Sequence, residues 1–253
     1  MNSQIKMIVS DLDGTLLRTD KTVSAATRAA LARCREKGIK VAYATARGRS
    51  AEVVTAGVPF DGRAVMNGAI AYAGEAAIYN RLIPYAVARP LLMACDAQEI
   101  KTASELAGMQ YTNFVTTDLW PELDYFEVVD FSRHSLDAEK LYAVIEAPGH
   151  ADYISQHLPD ELYMTLSNDG LAMIMHREAS KSKAIAALAR TWGIEGGEIV
   201  CFGDDLNDID MLRYAGTGVA MANAHNTVKA AANNLTSSND EDGVADWLNR
   251  HLL

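Results

Sequence analysis

The apolar run Met7-Ile8-Val9-Ser10 stops abruptly at Asp11-Leu12-Asp13-Gly14-Thr15. A run this short is strand length, and its polar end marks a chain that leaves a buried sheet for a turn. In an extended segment residues two apart project to the same side, so Asp11 and Asp13 start out together. Gly14 lets the backbone turn immediately afterwards. Two carboxylates at a strand end suit a hard cation and an anionic substrate: one oxygen can ligate, and another can attack phosphorus. Asp-x-Asp is also common, and Asp-Gly is an ordinary turn. The stretch alone therefore admits a chemical and a purely structural reading.

The chain that follows alternates. Ser24 to Gly38 reads as a helix, with Ser24 as cap, Leu31 and Cys34 on one face and Gly38 at its end. Ile39 to Thr45 is a second strand, followed by Ala46-Arg47-Gly48-Arg49-Ser50 and a short helix. Arg63 to Met66 is a third strand, ending at Asn67-Gly68. This order predicts a parallel sheet covered by helices, in which ligands bind outside the carboxyl ends of the strands. Asp11, Thr45 and Asn67 each sit at such an end.

From Leu82 the texture changes. Residues 84–98 look helical, with Pro90 set to kink or split the helix. Short alternating segments follow at 109–114, 125–131 and 140–146, then a helix at 148–158. Residues 162–167 and 171–175 flank Asn168-Asp169-Gly170, a hairpin signal. At Lys181 the first texture returns. Ser182 can cap a helix whose Ile185, Leu188, Ala189 and Trp192 share a face, closed by Gly193. Glu198 to Phe202 is a strand that runs into Gly203-Asp204-Asp205-Leu206-Asn207-Asp208. A helix over 208–214, a strand over 218–221 and helices over 226–232 and 244–252 complete the chain. The reading is an α/β fold: a doubly wound, Rossmann-like parallel-sheet core over 1–81 and 181–253, split by an α+β insertion over 82–180.

A length of 253 residues allows one large or two ordinary domains, and 49% hydrophobic against 22% charged residues excludes global disorder. A net charge of -10 argues against nucleic acid or an anionic membrane as partner. It does not exclude a small phosphorylated substrate, because a bound cation reverses the local field. Cys34, Cys95 and Cys201 are scattered and odd in number, as expected of reduced, buried thiols in a cytoplasmic protein. No apolar run reaches transmembrane length and no signal peptide precedes the first strand. The histidines show no metal-ligand spacing.

Gly203 to Asp208 is a second acidic strand end. Asp204 and Asp208 are four apart, so a helical turn would stack them. Each acidic cluster alone could simply decorate a helix N-terminus. Placed at adjacent strand ends, the two would raise each other's pKa unless a cation lay between them. Oxygen-only ligands favour Mg²⁺. Arg47, Lys181 and Lys183 are the basic groups that a phosphate would need.

Four stretches, in order, carry a family resemblance: DLDGTLL at 11–17, ATARG at 44–48, the lysine of ASKSKAIAAL at 179–188, and GDDLNDIDML at 203–212. The later GVAMANAHNTVKAAANNLTSSNDEDGVADWL agrees with them. The chain resembles the haloacid dehalogenase (HAD) superfamily of phosphohydrolases, in its Cof-type, class IIB branch with an inserted α/β cap. The resemblance implies that Asp11 is the nucleophile and Asp13 the acid and base, with the Asp13 carbonyl on the metal. It implies that Thr45 and the Ala46 amide hold the phosphoryl oxygens, and that Lys181 neutralises them and orients Asp11. Arg47 and Asn67 would add substrate contacts, though Asn67 also reads as a plain turn. Asp204 would ligate Mg²⁺, Asn207 would contact phosphate or the metal shell, and Asp208 would hold that shell from behind. Ala46 stands where the family usually has glycine. Lys183 competes with Lys181, which the family's spacing favours through the following Ala184-Ile185. Asp205 and Asp210 read as capping or exposed acids, not ligands. The activity implied is a Mg²⁺-dependent phosphatase for a small phosphorylated metabolite, a sugar phosphate first and pyridoxal phosphate next. A phosphomutase of the same branch, or a binding protein with little turnover, are the alternatives. The protein would be a monomer or homodimer, with a cap that closes and selects the leaving group.

Overall fold

Strand β1 (Met7–Ser10) is buried at every residue, as a central parallel strand must be when both of its faces are covered. The computed structural model that contains it describes residues 4–253 apart from 122, 124, 168 and 169. Helix α1 (Ala25–Glu36) follows, with the Ser24 hydroxyl accepting from the Thr27 amide and Leu31 and Cys34 turned inward. Next come β2 (Lys40–Ala44), the short α2 (Ser50–Val54) and β3 (Gly62–Val65). A tight turn over Met66–Gly68 leads into a hairpin of β4 (Ile70–Ala73) and β5 (Ala76–Asn80). The sequence pattern predicts no strands here. Alanine dominates both, so the alternation is faint, but the two-residue Gly74-Glu75 loop is a usable hairpin signal.

Residues Arg81–Ala179 form a unit of their own. Helix α3 (Tyr85–Ala97) runs through Pro90 as one helix. Strands β6 (Thr102–Leu106), β7 (Met109–Thr112), β8 (Phe126–Val128) and β9 (Lys140–Val144) precede α4 (His150–Gln156), β10 (Leu162–Leu166) and β11 (Leu171–His176). They make a six-stranded sheet in the order β10-β11-β9-β6-β7-β8. Leu91, Leu92 and Cys95 of α3 and Ile154 of α4 pack with Leu141, Ala143, Ala172 and Ile174 of the sheet. Strand β6 was not foreseen, because Ser104 and Glu105 are buried polar residues that hide its apolar pattern. The β10–β11 hairpin is antiparallel as expected; the turn residues 168 and 169 lie outside the described residues.

The other unit takes up the chain again at Ser180, one residue ahead of the change in sequence texture. Helix α5 (Lys181–Trp192) is capped by Ser180, not Ser182. Strand β12 (Ile199–Gly203), a tight turn over Leu206–Asp208 and α6 (Ile209–Tyr214) follow. Then come β13 (Thr217–Ala220), α7 (Asn226–Ala231), the brief β14 (Asn234–Leu235) and α8 (Gly243–His251). The eight-stranded sheet runs β14-β13-β12-β1-β2-β3-β4-β5, parallel through β3 and antiparallel at the last two. This is a doubly wound α/β sheet. Its order reverses at β1, which lies between β12 and β2, so the ligand crevice belongs at the carboxyl ends of β1 and β12. Its core joins Ile8, Val9, Val41, Val200 and Phe202 to Leu31, Ile185, Leu188 and Leu248. Fully burying each such side chain contributes about 1.5–3 kcal/mol. No helix among the described residues is long and apolar enough to cross a membrane.

Gly68 marks where β3 meets α5. At a φ of +86°, a Cβ on it would stand 2.2 Å from the Ser180 carbonyl oxygen, whereas Gly74, at +56°, has open space around it. Gly74→Ala is expected to lose about 1–2 kcal/mol, the ordinary penalty for a side chain at positive φ. Gly68→Ala should lose about 3–5 kcal/mol, because backbone must move as well. Urea unfolding of the two variants checks this; equal losses would refute the close approach.

Candidate active site

The carboxyl ends of β1, β2, β3 and β12 deliver Asp11, Thr45, Asn67 and Asp204. Asp11 extends β1, its amide donating to the Phe202 carbonyl at 2.9 Å, and its side chain is buried. Lys181, first residue of α5, is 1% exposed. Its Nζ donates to Asp11 Oδ1 at 2.6 Å and to Asp208 Oδ1 at 2.6 Å. Asp208 is wholly buried. Its Oδ2 accepts the amides of Asp204 and Asp205, at 2.9 and 3.0 Å. Asp204 and Asp208 are therefore not stacked by a helical turn, contrary to what their spacing predicts. Asp204 precedes the turn, and the two converge because the Asp208 side chain folds back onto the Asp204 backbone.

Carboxylate oxygens of Asp11, Asp204 and Asp208 lie within 4.8 Å of one another. Burial pushes the Asp11 carboxyl up to about 8, against the pull of Lys181. Burial likewise raises Asp204 to about 6, against the hydrogen bond from Thr15. Burial alone would lower the Lys181 ammonium, but Asp11 and Asp208 outweigh it and hold its pKa above the ordinary lysine value. Burial is the main cause for both carboxyls, and the neighbouring carboxylates add to it; for Lys181 the carboxylates outweigh burial. An anionic, all-oxygen group of this kind fits a hard divalent cation. Asp11 and Asp204 are the better direct ligands. Asp208 has both oxygens engaged, one by Lys181 and one by backbone amides, which suits a supporting position.

Asp13 stands apart from this group. Its half-exposed carboxylate is gripped by Arg47, Nε to Oδ2 at 2.5 Å and Nη2 to Oδ1 at 2.7 Å, and by Lys21 Nζ at 2.8 Å. The Arg47 hydrogen bonds lower its pKa to about 2. Arg47, expected to meet phosphate, is thus held by Asp13 here. Thr45 is buried, with its Oγ1 accepting from the Arg47 amide at 3.1 Å. Ala46 beside it is exposed. Met66 and Asn67 both have positive φ, and Asn67 Oδ1 accepts from Asn207 Nδ2 at 2.9 Å. Lys183 is exposed and Lys181 buried. Asp205 caps Leu206, accepting its amide at 2.7 Å.

Two contributors are not read from the sequence, and a third does more than its sequence reading implies. Thr15 Oγ1 donates to Asp204 Oδ1 at 2.5 Å. Asn223 Nδ2 donates to the Gly14 carbonyl at 2.8 Å. Asp210, read as a cap, also accepts the Ser182 amide at 3.1 Å. Thr15 follows the first acids directly, and that adjacency was a usable signal. The other two partners are distant in sequence.

A family model described as haloacid dehalogenase-like hydrolase matches residues 8–248. The chain is 28% identical to the pyridoxal phosphate phosphatase YbhA of Escherichia coli K12, over 98% of this chain and 99% of that one. It is 27% identical to the 5-amino-6-(5-phospho-D-ribitylamino)uracil phosphatase YitU of Bacillus subtilis, over 100% and 99%. Among solved structures it is similar to the HAD subclass IIB sugar phosphatase BT4131, with a TM-score of 0.81 and 26% identity over 97% and 98% of the two chains. A matching family model across nearly the whole chain, a switch-point site and these likenesses lead to one conclusion: the chain belongs to the haloacid dehalogenase-like hydrolase family.

Proposed function

We propose that this protein is a Mg²⁺-dependent phosphatase of small phosphorylated metabolites, with Asp11 as nucleophile. The observation that carries the reading is Lys181, buried and 2.6 Å from both Asp11 and Asp208. A lysine so placed fixes one Asp11 oxygen and leaves the carboxylate aimed from the end of β1. An Asp11 oxygen attacks phosphorus and the ester oxygen leaves, giving an aspartyl-phosphate. Water then attacks that phosphorus and regenerates Asp11. Asp11 and Asp204 would hold the cation, supported by Asp208, Thr15 and the Asp13 carbonyl. A divalent cation bound there supplies charge neutralisation for carboxylate and phosphoryl oxygens together. Thr45, the Ala46 amide, Asn67, Asn207 and Lys181 are the donors for the phosphoryl group. Asp13 would serve as acid and then as base. With Arg47 and Lys21 on both oxygens and its pKa lowered to about 2, it is a weak base as placed. Those ion pairs must open before Asp13 can protonate a leaving oxygen.

A sugar phosphate is the substrate class favoured, with pyridoxal phosphate next. The relatives act on a sugar phosphate, on pyridoxal phosphate and on a phosphoribityl compound, all small monoesters. The 81–179 unit is assigned the choice among leaving groups. Phosphate release should be measured across sugar phosphates, nucleotides and pyridoxal phosphate, with Mg²⁺ and with EDTA. Metal-dependent release from a subset is expected. An isomerised sugar phosphate with no free phosphate would replace the reading by a mutase, and tight binding without turnover by a sensor.

Asp11→Asn should lower kcat by about 10³-fold or more while the fold, followed by circular dichroism, is kept. Surviving activity would mean that the nucleophile is elsewhere. A pH effect follows as well. With a folded-state pKa near 8 against an ordinary 3.8, Asp11 keeps its proton where the unfolded chain has lost it. The folded state then binds more protons, so metal-free stability falls as pH rises through that window. In EDTA, the melting temperature of D11N minus that of the wild type should grow from pH 5 to pH 8. Excess Mg²⁺, which needs Asp11 ionised, should shrink the gap. A difference that stays flat with pH would contradict the buried-carboxyl assignment.

A further inference from the structure

Helix α5 begins with charges that a helix does not favour. Lys181 and Lys183 sit in its first turn, and that turn has no acidic residue of its own. The partial positive charge of a helix N-terminus opposes cations there. Yet Lys181 is the buried residue whose ammonium must stay on Asp11 and Asp208. Three contacts hold the backbone that carries it. The Ser180 hydroxyl accepts the Lys183 amide at 3.2 Å. Gly68 lies against the Ser180 carbonyl too closely for any side chain. The third contact comes from another helix. Asp210, the second residue of α6, accepts the Ser182 amide at 3.1 Å through Oδ2, while its Oδ1 accepts the Met211 amide at 2.7 Å. Asp210 thus supplies from α6 a side-chain acceptor for the first turn of α5, one residue beyond Lys181. Asp208 lies just ahead of it in the chain. One short segment therefore holds both a carboxylate partner of the ammonium and the helix that bears the ammonium.

We propose that Asp210 is a positioning residue for Lys181: by accepting the Ser182 amide it sets the start of α5, so that Lys181 Nζ stays within reach of Asp11 and Asp208. Asp210 itself touches neither substrate nor reacting atoms. The proposal rests on the reading of Asp11 as nucleophile.

The test compares wild type with Asp210→Asn, which keeps an acceptor oxygen, and with Asp210→Ala and Asp210→Leu, which have none. Leucine matches aspartate more closely in bulk and covers the case in which alanine does not fold. kcat and KM are measured on a sugar phosphate with Mg²⁺, beside thermal melting. The two acceptorless variants should lose about ten- to a hundredfold in kcat with KM changed less than about threefold, and D210N should return to within about threefold of wild type. A second readout needs no turnover. In protein labelled with ¹⁵N-lysine, the Lys181 Nζ protons should exchange slowly with water in wild type and D210N, and fast in the acceptorless variants. Wild-type turnover in D210A and D210L, equal impairment of D210N, or unchanged Nζ exchange would each overturn the proposal. A wild type that releases no phosphate yet shows the exchange pattern would overturn the phosphatase reading alone.

Discussion

Three buried or half-buried carboxylates share one buried ammonium, and much of the unit that carries them can be understood from that imbalance. A lysine with almost no solvent contact is tolerated only when its charge is matched, and Asp11 and Asp208 match it. The same three carboxylates carry more negative charge than one lysine neutralises. The remaining excess is spread over fixed dipoles: the Thr15 hydroxyl on Asp204, and the backbone amides of residues 204 and 205 on Asp208. Each of these donors is preorganised, so it costs no reorientation when a phosphoryl group adds its own charge.

The arrangement also separates two kinds of acid within three residues. Asp11 is held in a dry, carboxylate-rich place that favours the proton. Asp13 is held at the surface by two cations that favour its loss. Their shared side of the strand, inferred from a period of two, tells nothing of this. The Gly14 turn comes directly after Asp13, and partners 8 and 34 residues away then decide its environment.

What the sequence made legible follows from how local each feature is. Strand ends that carry Asp11, Thr45, Asn67 and Asp204 could be read because an apolar run that stops at a polar residue is a local pattern. Lys181 is preferred to Lys183 only through the family resemblance, because the Ala184-Ile185 that follow match the family's spacing. The start of α5 was misread because Ser180 and Ser182 are equally good caps in isolation. Contacts from Gly68 and Asp210, over 100 and about 30 residues distant, are what select between them. Strands β4 and β5 hid behind alanine, and β6 behind Ser104 and Glu105, since a hydrophobic pattern can show only strands that are hydrophobic. The pairing of Arg47 with Asp13 joins two motifs that each looked complete.

The insertion between β5 and α5 has a consequence in time. Thr15 and Asp204, which touch, are 189 residues apart in the chain. At translation speeds of about 5–20 residues per second, β1 waits roughly 10–40 s for β12 to emerge beside it. Through that interval one long edge of β1 has no neighbour, and Asp11 lacks Lys181. A nascent chain of this protein holds this apolar strand, buried at every residue in the folded sheet, open for longer than an uninterrupted α/β chain would.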